Sequence, residues 1–269
     1  LYNKVQAGEL DGVVDGIVPP QVLRQYSTDP TLQPLLHINP SDAVRYISFN
    51  MAIPPFDDVH VRKAINLGLD KAGMRTFRGG ESVGEIAGHI MVNSLEDNLL
   101  ADFDPYATPN SAGDLTAAQA EMAQSAYDSD GDGVCDAPEC SNILAVTDEA
   151  DPYPDQAALI QQNMEPLGLT FDVKSFERTT MYSKCNEPEA HVAICLAPAW
   201  GKDFPDGYTF ADPLFGSAAI FPSCCNYGLV GASADLLSKA GYDITEVPSV
   251  DDQIKTANQQ TGDARFQGW

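Results

Sequence analysis

The chain has 269 residues, 43% of them hydrophobic, enough to bury a substantial core in one large domain or two small ones. Its formal charge of −24 sets it against nucleic acid and anionic membrane surfaces as partners; it suits solubility alone, an exported protein, a high-salt habitat or cationic ligands. No apolar run approaches the ~20 residues that carry a helix across a bilayer.

In chain order, Lys4 to Leu10 reads as a short helix and Gly12 to Val18 as an apolar strand broken by Asp15 and Gly16. Pro19-Pro20 ends that strand, and Gln21 to Tyr26 begins a second helix. Tyr46-Ile47-Ser48-Phe49-Asn50 alternates large apolar with small polar residues, the pattern of a strand. Pro54-Pro55 stiffens the exit from it, and Asp57 or Asp58 is placed to cap a helix over 58–74. In that helix Val61, Ala64, Ile65 and Leu69 form one apolar stripe, while Arg62, Lys63 and Asp70 face outward.

This ordered run is Phe49-Asn50, then Pro54-Pro55-Phe56-Asp57-Asp58-Val59, Val61-Arg62, Ala64-Ile65 and Leu69-Asp70-Lys71. It resembles the extracellular solute-binding proteins of peptide-type ABC transporters, which include dipeptide-, oligopeptide- and nickel-binding proteins. Ala7-Gly8-Glu9-Leu10-Asp11 and Gly113-Asp114-Leu115 resemble further segments of the same family. The resemblance implies an α/β fold: one lobe of a periplasmic-binding-protein-like (type II) architecture, a mixed sheet flanked by helices. It makes residues 1–45 a remnant of the first lobe and the hinge approach. Residues 46–269 become the second, ligand-binding lobe, truncated at its end. It further implies a longer, monomeric, extracellular or periplasmic protein, tethered to the membrane as a lipoprotein and delivering its solute to an ABC permease.

Beyond a glycine-rich loop at 79–88, a helix is expected over 116–127, a strand over 143–146 and a helix over 155–167. A strand at 169–175, a helix at 179–184 and a strand at 191–196 follow, with a last helix at 250–259. This alternation indicates α/β packing. Six cysteines fall in three local pairs without a CxxC motif, which favours disulfides and an oxidising compartment over reduced thiols. Cys135–Cys140 and Cys185–Cys195 each close a short loop between expected elements. Cys224 and Cys225 are open to a vicinal bridge, other partners or the reduced state.

The strongest local motif runs from Asp128 to Glu139 and fits a twelve-position calcium loop. Asp128, Asp130, Asp132 and Asp136 stand at positions 1, 3, 5 and 9, the Val134 carbonyl at 7 and Glu139 at 12. Hard Ca²⁺ takes six to eight oxygens, so the loop must curl on itself, and Gly133 supplies the turn. The expectation is a structural Ca²⁺; the plain alternative is a solvated acidic turn.

Residues 197–217 carry Trp200, Asp203 and Asp206 in a spacing similar to the family's ligand segment. The resemblance implies that Asp203 meets the solute's ammonium group and that Trp200 walls the pocket, with Asp206 as a second candidate. An ammonium taken out of water needs a charged acceptor, and an indole face adds cation–π attraction. Lys202 beside the anchor would favour an anionic or neutral solute if it pointed inward. Two other classes remain. Gly80-Glu81-Ser82-Val83-Gly84 matches the nucleophile elbow of a secreted serine hydrolase, with His89 or His191 as base, although no apolar strand precedes it. A calcium-stabilised extracellular structural module is the other. No dinucleotide fingerprint, P-loop or HExxH spacing is present, so the reading is capture without catalysis.

Overall fold

The protein is described by a computed structural model covering residues 1–13, 18–39 and 41–269. The strand expected at Gly12 to Val18 lies largely outside those residues. α1 (Tyr2–Gln6) and α2 (Pro20–Thr28) come first, with Pro20 in the opening turn of α2, where its missing N–H costs nothing. β2 (Ser48–Phe49) falls within the strand expected from Tyr46 to Asn50, and a further short strand, β1 (Ala43–Arg45), precedes it.

The helix expected over 58–74 is two helices, α3 (Val59–Gly68) and α4 (Lys71–Arg78). Leu69 is extended between them, and Asp70 turns its carboxylate back to accept from the Gly73 N–H at 2.7 Å. Asp70 therefore caps a helix start instead of facing solvent mid-helix. α5 (Leu115–Met122) is capped in the same way by Asp114 and stops short of the expected Tyr127. Its exit is held by Asp58, which accepts from the Ser125 hydroxyl (2.8 Å) and the Ala126 N–H (2.9 Å). Asp58 also caps α3 through the His60 N–H at 2.7 Å, so one carboxylate ties the start of α3 to the end of α5.

β3 (Ile143–Asp148), α6 (Tyr153–Met164) and β4 (Phe171–Phe176) form a parallel strand–helix–strand unit. α7 (Arg178–Asn186), β5 (Ile194–Cys195) and β6 (Ala199–Gly201) follow, then α8 (Tyr208–Phe215), α9 (Ala234–Ala240), α10 (Asp251–Asn258) and α11 (Asp263–Gly268). The main sheet has the order β2-β5-β3-β4, with β2 antiparallel to β5 and the other pairs parallel. β1 and β6 make a separate antiparallel pair.

Alternation along β3 assigns the two faces of the sheet. Ile143 and Ala145 join Val61, Ile65, Met122, Ile160 and Met164 beneath α3, α5 and α6. Val146 looks the other way, onto Met181 and Cys185 of α7. With both faces covered, β3 is buried almost without interruption, as parallel strands are. Each fully buried Ile or Met contributes roughly 1.5–3 kcal/mol of hydrophobic stabilisation. The fold is thus the mixed α/β sheet with flanking helices that the sequence leads one to expect.

All six cysteines are paired, the third bridge being the vicinal Cys224–Cys225. Cys185–Cys195 joins α7 to β5, and Cys135–Cys140 closes the acidic loop against the start of β3.

Burial works to raise the Asp58 pKa, but the Ala126 and His60 N–H groups and the Ser125 hydroxyl outweigh it and hold the carboxyl below its usual range. A group with a lowered folded-state pKa stabilises fully above the ordinary carboxylate value of about 4, and loses that contribution as pH falls through the folded value. Asp58→Ala is therefore expected to cost about 2 kcal/mol of unfolding free energy at pH 7, the gap to wild type narrowing in strong acid. Urea denaturation at pH 7 and pH 3 measures both; an unchanged stability at pH 7 would show that the double cap does not hold these helices.

Candidate functional site

The register of β1 against β6 builds the site. Val44 pairs with Trp200, which sets the indole over a small core of Val44, Leu95, Phe210 and Leu214. The Trp200 Nε1–H donates to the Thr209 carbonyl at 2.8 Å, fixing the ring against α8. Trp200 is partly buried beside the strand pair. Nearby, Tyr182 and Tyr227 lie with ring centroids 6.4 Å apart, and the Tyr182 hydroxyl accepts from the Ala199 N–H at 3.2 Å. Burial pushes the Tyr227 phenol up to about 12 and raises Tyr46 further still, so these rings are neutral hydroxyl donors and acceptors at any ordinary pH.

Asp203 stands on the exposed loop after β6. Its N–H donates to the Thr209 hydroxyl at 2.8 Å, and that hydroxyl lies 3.3 Å from one carboxylate oxygen of Asp203. Thr209 is only 1% exposed, yet it orients both Trp200 and Asp203. Nothing in the sequence pattern marked it, because a threonine six positions downstream meets Asp203 only after α8 folds back.

Asp206 is differently engaged. Arg265 of α11 grips both its oxygens, one at 2.8 Å, and the Tyr208 N–H donates to it at 2.9 Å. Burial would raise the Asp206 pKa, but the Arg265 guanidinium overrides it and holds the carboxyl below its usual range. Asp206 is thus engaged in an internal ion pair, whereas Asp203 has no ion-pair partner among the described residues. Lys202 turns away from Asp203, with its ammonium 2.6 Å from Asp42 and 3.4 Å from the Ser94 hydroxyl. Its charge is neutralised across the β1–β6 edge.

The acidic loop follows α5. Asp128, Asp130 and Asp132 bring carboxylate oxygens within 4.8 Å of one another. Buried Asp128 accepts from the Gly131 and Gly133 N–H groups at 2.8 and 2.7 Å, and Asp132 accepts from Val134 N–H at 2.9 Å. These bonds wind the backbone around the three carboxylates. Gly133 has φ +88°, and a Cβ there would lie 2.7 Å from Gln119 Cβ, so only glycine fits the turn. Asp136 is turned to Ser129, accepting from both its N–H and its hydroxyl, and Glu139 lies in an exposed turn outside the trio. All the donors are hard oxygens, a chemistry that fits Ca²⁺. The trio supplies a partial shell, completed only if Val134 O, water or a shifted Glu139 joins it.

Ser82 lies in a short turn, Glu81–Val83, directly after α4. Its hydroxyl reaches the Gly79 carbonyl at 3.4 Å. No strand leads into it, so the elbow geometry that exposes a nucleophilic serine is missing. His191 is committed elsewhere, with Nε2 2.7 Å from the Ala240 carbonyl and its ring stacked 4.4 Å from Tyr242.

Residues 1–221 match the family model for the bacterial extracellular solute-binding proteins, family 5, middle region. Heme-binding protein A of Haemophilus influenzae is 28% identical over 225 residues, covering 81% of this chain and 37% of that protein. Among solved structures, a clavulanic acid biosynthesis oligopeptide binding protein superposes on all of the chain with TM-score 0.73 at 22% identity, covering 45% of that protein. The periplasmic binding protein DppA of Helicobacter pylori, in complex with the peptide STSA, gives TM-score 0.70 at 15% identity over 98% of this chain and 45% of its own. The oligopeptide-binding protein AppA of Bacillus subtilis, in complex with a nonapeptide, gives 0.67 at 18% identity over 99% of this chain and 48% of its own. The chain therefore spans less than half the length of these relatives.

Thr209→Val keeps the side-chain volume and removes the hydroxyl that holds the Asp203 loop. A loss of about 1 kcal/mol in unfolding free energy is expected by urea denaturation. No loss would mean that the loop is positioned by its backbone alone.

Proposed function

The chain belongs to the bacterial extracellular solute-binding proteins, family 5, and from that membership we propose that it supplies one solute-binding lobe of an ABC importer's capture protein. The solute is a peptide or a similar amine-bearing molecule. The observation that carries this reading is Thr209, whose carbonyl accepts from the Trp200 indole and whose hydroxyl accepts from the Asp203 N–H. A partly accessible indole and a carboxylate with no ion-pair partner among the described residues are thereby held together beside α8. Asp203 accepts the ammonium through a charge-assisted hydrogen bond, and Trp200 adds an apolar wall with cation–π attraction.

Function here is capture and release. Residues 1–45 lead in from the first lobe, and the complete clamshell closes over the solute, which binds the closed state more tightly and shifts the population toward it. The closed form then docks on a membrane permease, the protein being held outside the cell by a lipid anchor. No helix among the described residues is long and apolar enough to cross a membrane. A chain carrying one lobe alone binds solute weakly, because half of the contacts belong to the other lobe. A serine hydrolase is disfavoured by the position of Ser82 on a turn between a helix and a glycine-rich loop.

The acidic loop has a separate, structural role in this reading: Asp128, Asp130 and Asp132 hold a Ca²⁺ that stiffens the link from α5 to β3. Bound there, the ion neutralises three clustered carboxylates, which otherwise repel one another.

Two measurements test these readings. In the full-length protein, Asp203→Asn is expected to weaken binding of a free-amine peptide by about tenfold or more and to leave an N-acetylated peptide unaffected; native mass spectrometry and calorimetry report both. Equal affinity for the two peptides in wild type would remove Asp203 as the anchor. For the loop, calorimetry or terbium luminescence should give one site per chain, abolished by Asp132→Ala, and an absence of binding at millimolar calcium would refute a resident ion.

A further inference from the structure

The four-stranded sheet ends on one side at β2, two residues long, and on the other at β4, which has six. Two hydrogen bonds at the ends of the β3–β4 ladder fix which way the β4 backbone faces. Ile143 N–H donates to Thr170 O at 2.9 Å, and Glu149 N–H donates to Phe176 O at 2.8 Å. Polar groups alternate sides along a strand, so the even-numbered residues from 170 to 176 turn N–H and C=O toward β3. Phe171, Val173 and Ser175 therefore turn theirs outward, off the edge of the sheet. Among the described residues, no N–H or carbonyl of these three has a hydrogen-bond partner.

Such an edge is a template for another strand, and sheet proteins usually blunt it with proline, a bulge or inserted charge. β4 has no proline, and its register runs unbroken from Ile143↔Phe171 to Asp148↔Phe176. Its one lysine, Lys174, is matched by Asp172 on the same face, with the ammonium 2.8 Å from the carboxylate. Both side chains stay about half exposed, at 52% and 48%. The blunting charge is thus neutralised in place, and the strand carries one charge of each sign, two residues apart.

That pattern is self-complementary about a single point. When a second β4 runs antiparallel with a twofold axis at Val173, Asp172 faces Lys174 of the second copy, and Lys174 faces its Asp172. Val173 then lies opposite the same residue of the second copy, and Phe171 lies opposite Ser175. All of these have outward-turned polar groups, as hydrogen-bonded antiparallel pairs require. The charged pairs take the intervening positions, where opposed side chains come closest. An axis at Asp172 or Lys174 keeps the hydrogen bonds but sets like charges face to face. An axis between two residues opposes outward-turned groups to inward-turned ones. Val173 also packs partly against the core beneath α6, so its pairing extends that core across the edge.

We propose that β4 is a dimerisation edge, through which two copies of this chain pair antiparallel over Phe171–Phe176, centred on Val173, and join their sheets across a twofold axis. The pairing departs from the monomer that the family resemblance implies and is independent of the solute bound. A contact limited to one six-residue strand is small beside the ~1,200–2,000 Å² of stable complexes, so the dimer is weak, with Kd on the order of 10–100 μM.

The test uses the full-length protein in sedimentation velocity at low ionic strength, from about tenfold below to tenfold above that range of Kd. Wild type is expected to pass from monomer to dimer. Asp172→Lys and Lys174→Asp each set like charges face to face and are expected to weaken self-association about tenfold or more. Mixed in equal amounts, the two variants are expected to dimerise again, because every lysine then faces an aspartate. Hydrogen exchange in wild type gives a second reading that needs no variant. The Val173 and Ser175 amides should slow as concentration rises, while the Asp172 and Lys174 amides, bonded to β3, are protected throughout. A wild type that stays monomeric, with fast exchange at Val173 and Ser175, would overturn the proposal. So would a dimer that neither charge reversal weakens, or a mixture of variants that stays monomeric while each is folded by circular dichroism. Protection of Val173 and Ser175 in the monomer would overturn it as well, by showing the edge covered by another segment of the longer protein.

Discussion

The register that joins segment 43–50 to the strands at 194–201 is the constraint on which the rest depends. Asn50, 5% exposed, locks it: its N–H donates to Ala193 O at 2.9 Å, and its side-chain amide donates to Val192 O and to the Tyr242 hydroxyl. The Asn50 side-chain oxygen accepts from Ala52 N–H, so the amide is satisfied on both sides inside the core. Tyr242 passes the chain of bonds on to the Pro188 carbonyl. A slip of one residue would leave that amide unpaired and turn Val44 and Trp200 to opposite faces. The same register carries Arg45 to the Tyr153 ring and Trp200 to α8.

Electrostatics here is a matter of allocation. A chain with 39 acidic and 15 basic side chains cannot pair its carboxylates, so the few cations decide which ones are neutralised. Arg265 takes Asp206, Lys202 takes Asp42 and Arg178 takes Asp148. Asp203 has no ion-pair partner among the described residues, because Lys202 and Arg265 are already committed, while its backbone is held by Thr209. At the acidic loop backbone N–H groups do what cations do elsewhere, pointing at Asp128 and Asp132 and holding the like charges together. Dipoles lower the cost of that cluster without cancelling its charge.

The disulfides reinforce connections that the core cannot. Cys135–Cys140 spans the join between the acidic loop and β3, where surface polar residues offer little burial. Cys185–Cys195 links α7 to the very short β5, whose two residues make few ladder bonds of their own. Cys185–Cys195 lies in the cluster that carries Tyr153 and Tyr182, whereas Cys135–Cys140 belongs to the core on the other face of the sheet, so each face has its own cross-link.

Local patterning determined a good deal. The apolar stripe of Val61, Ala64 and Ile65, the β3–α6–β4 unit, the aspartate cap of α3 and two of the disulfide pairs are consequences of spacing along a few neighbouring residues. The curl of the acidic loop around its first three aspartates is of the same kind, since the partners lie within five residues of one another. What only the tertiary structure decided is which of several possible partners a group takes. Asp70 became a cap because Leu69 is extended, Asp206 was taken by Arg265 from 59 residues away, and Asp136 was spent on Ser129 instead of joining the trio. Thr209 and the three arginines around Tyr153, Arg45, Arg78 and Arg178, carried no local signal, because strand pairing and helix packing alone bring them into place. Short-range geometry is written into residue order; the choice among several possible charge partners is made by the fold, where distance and competition decide it.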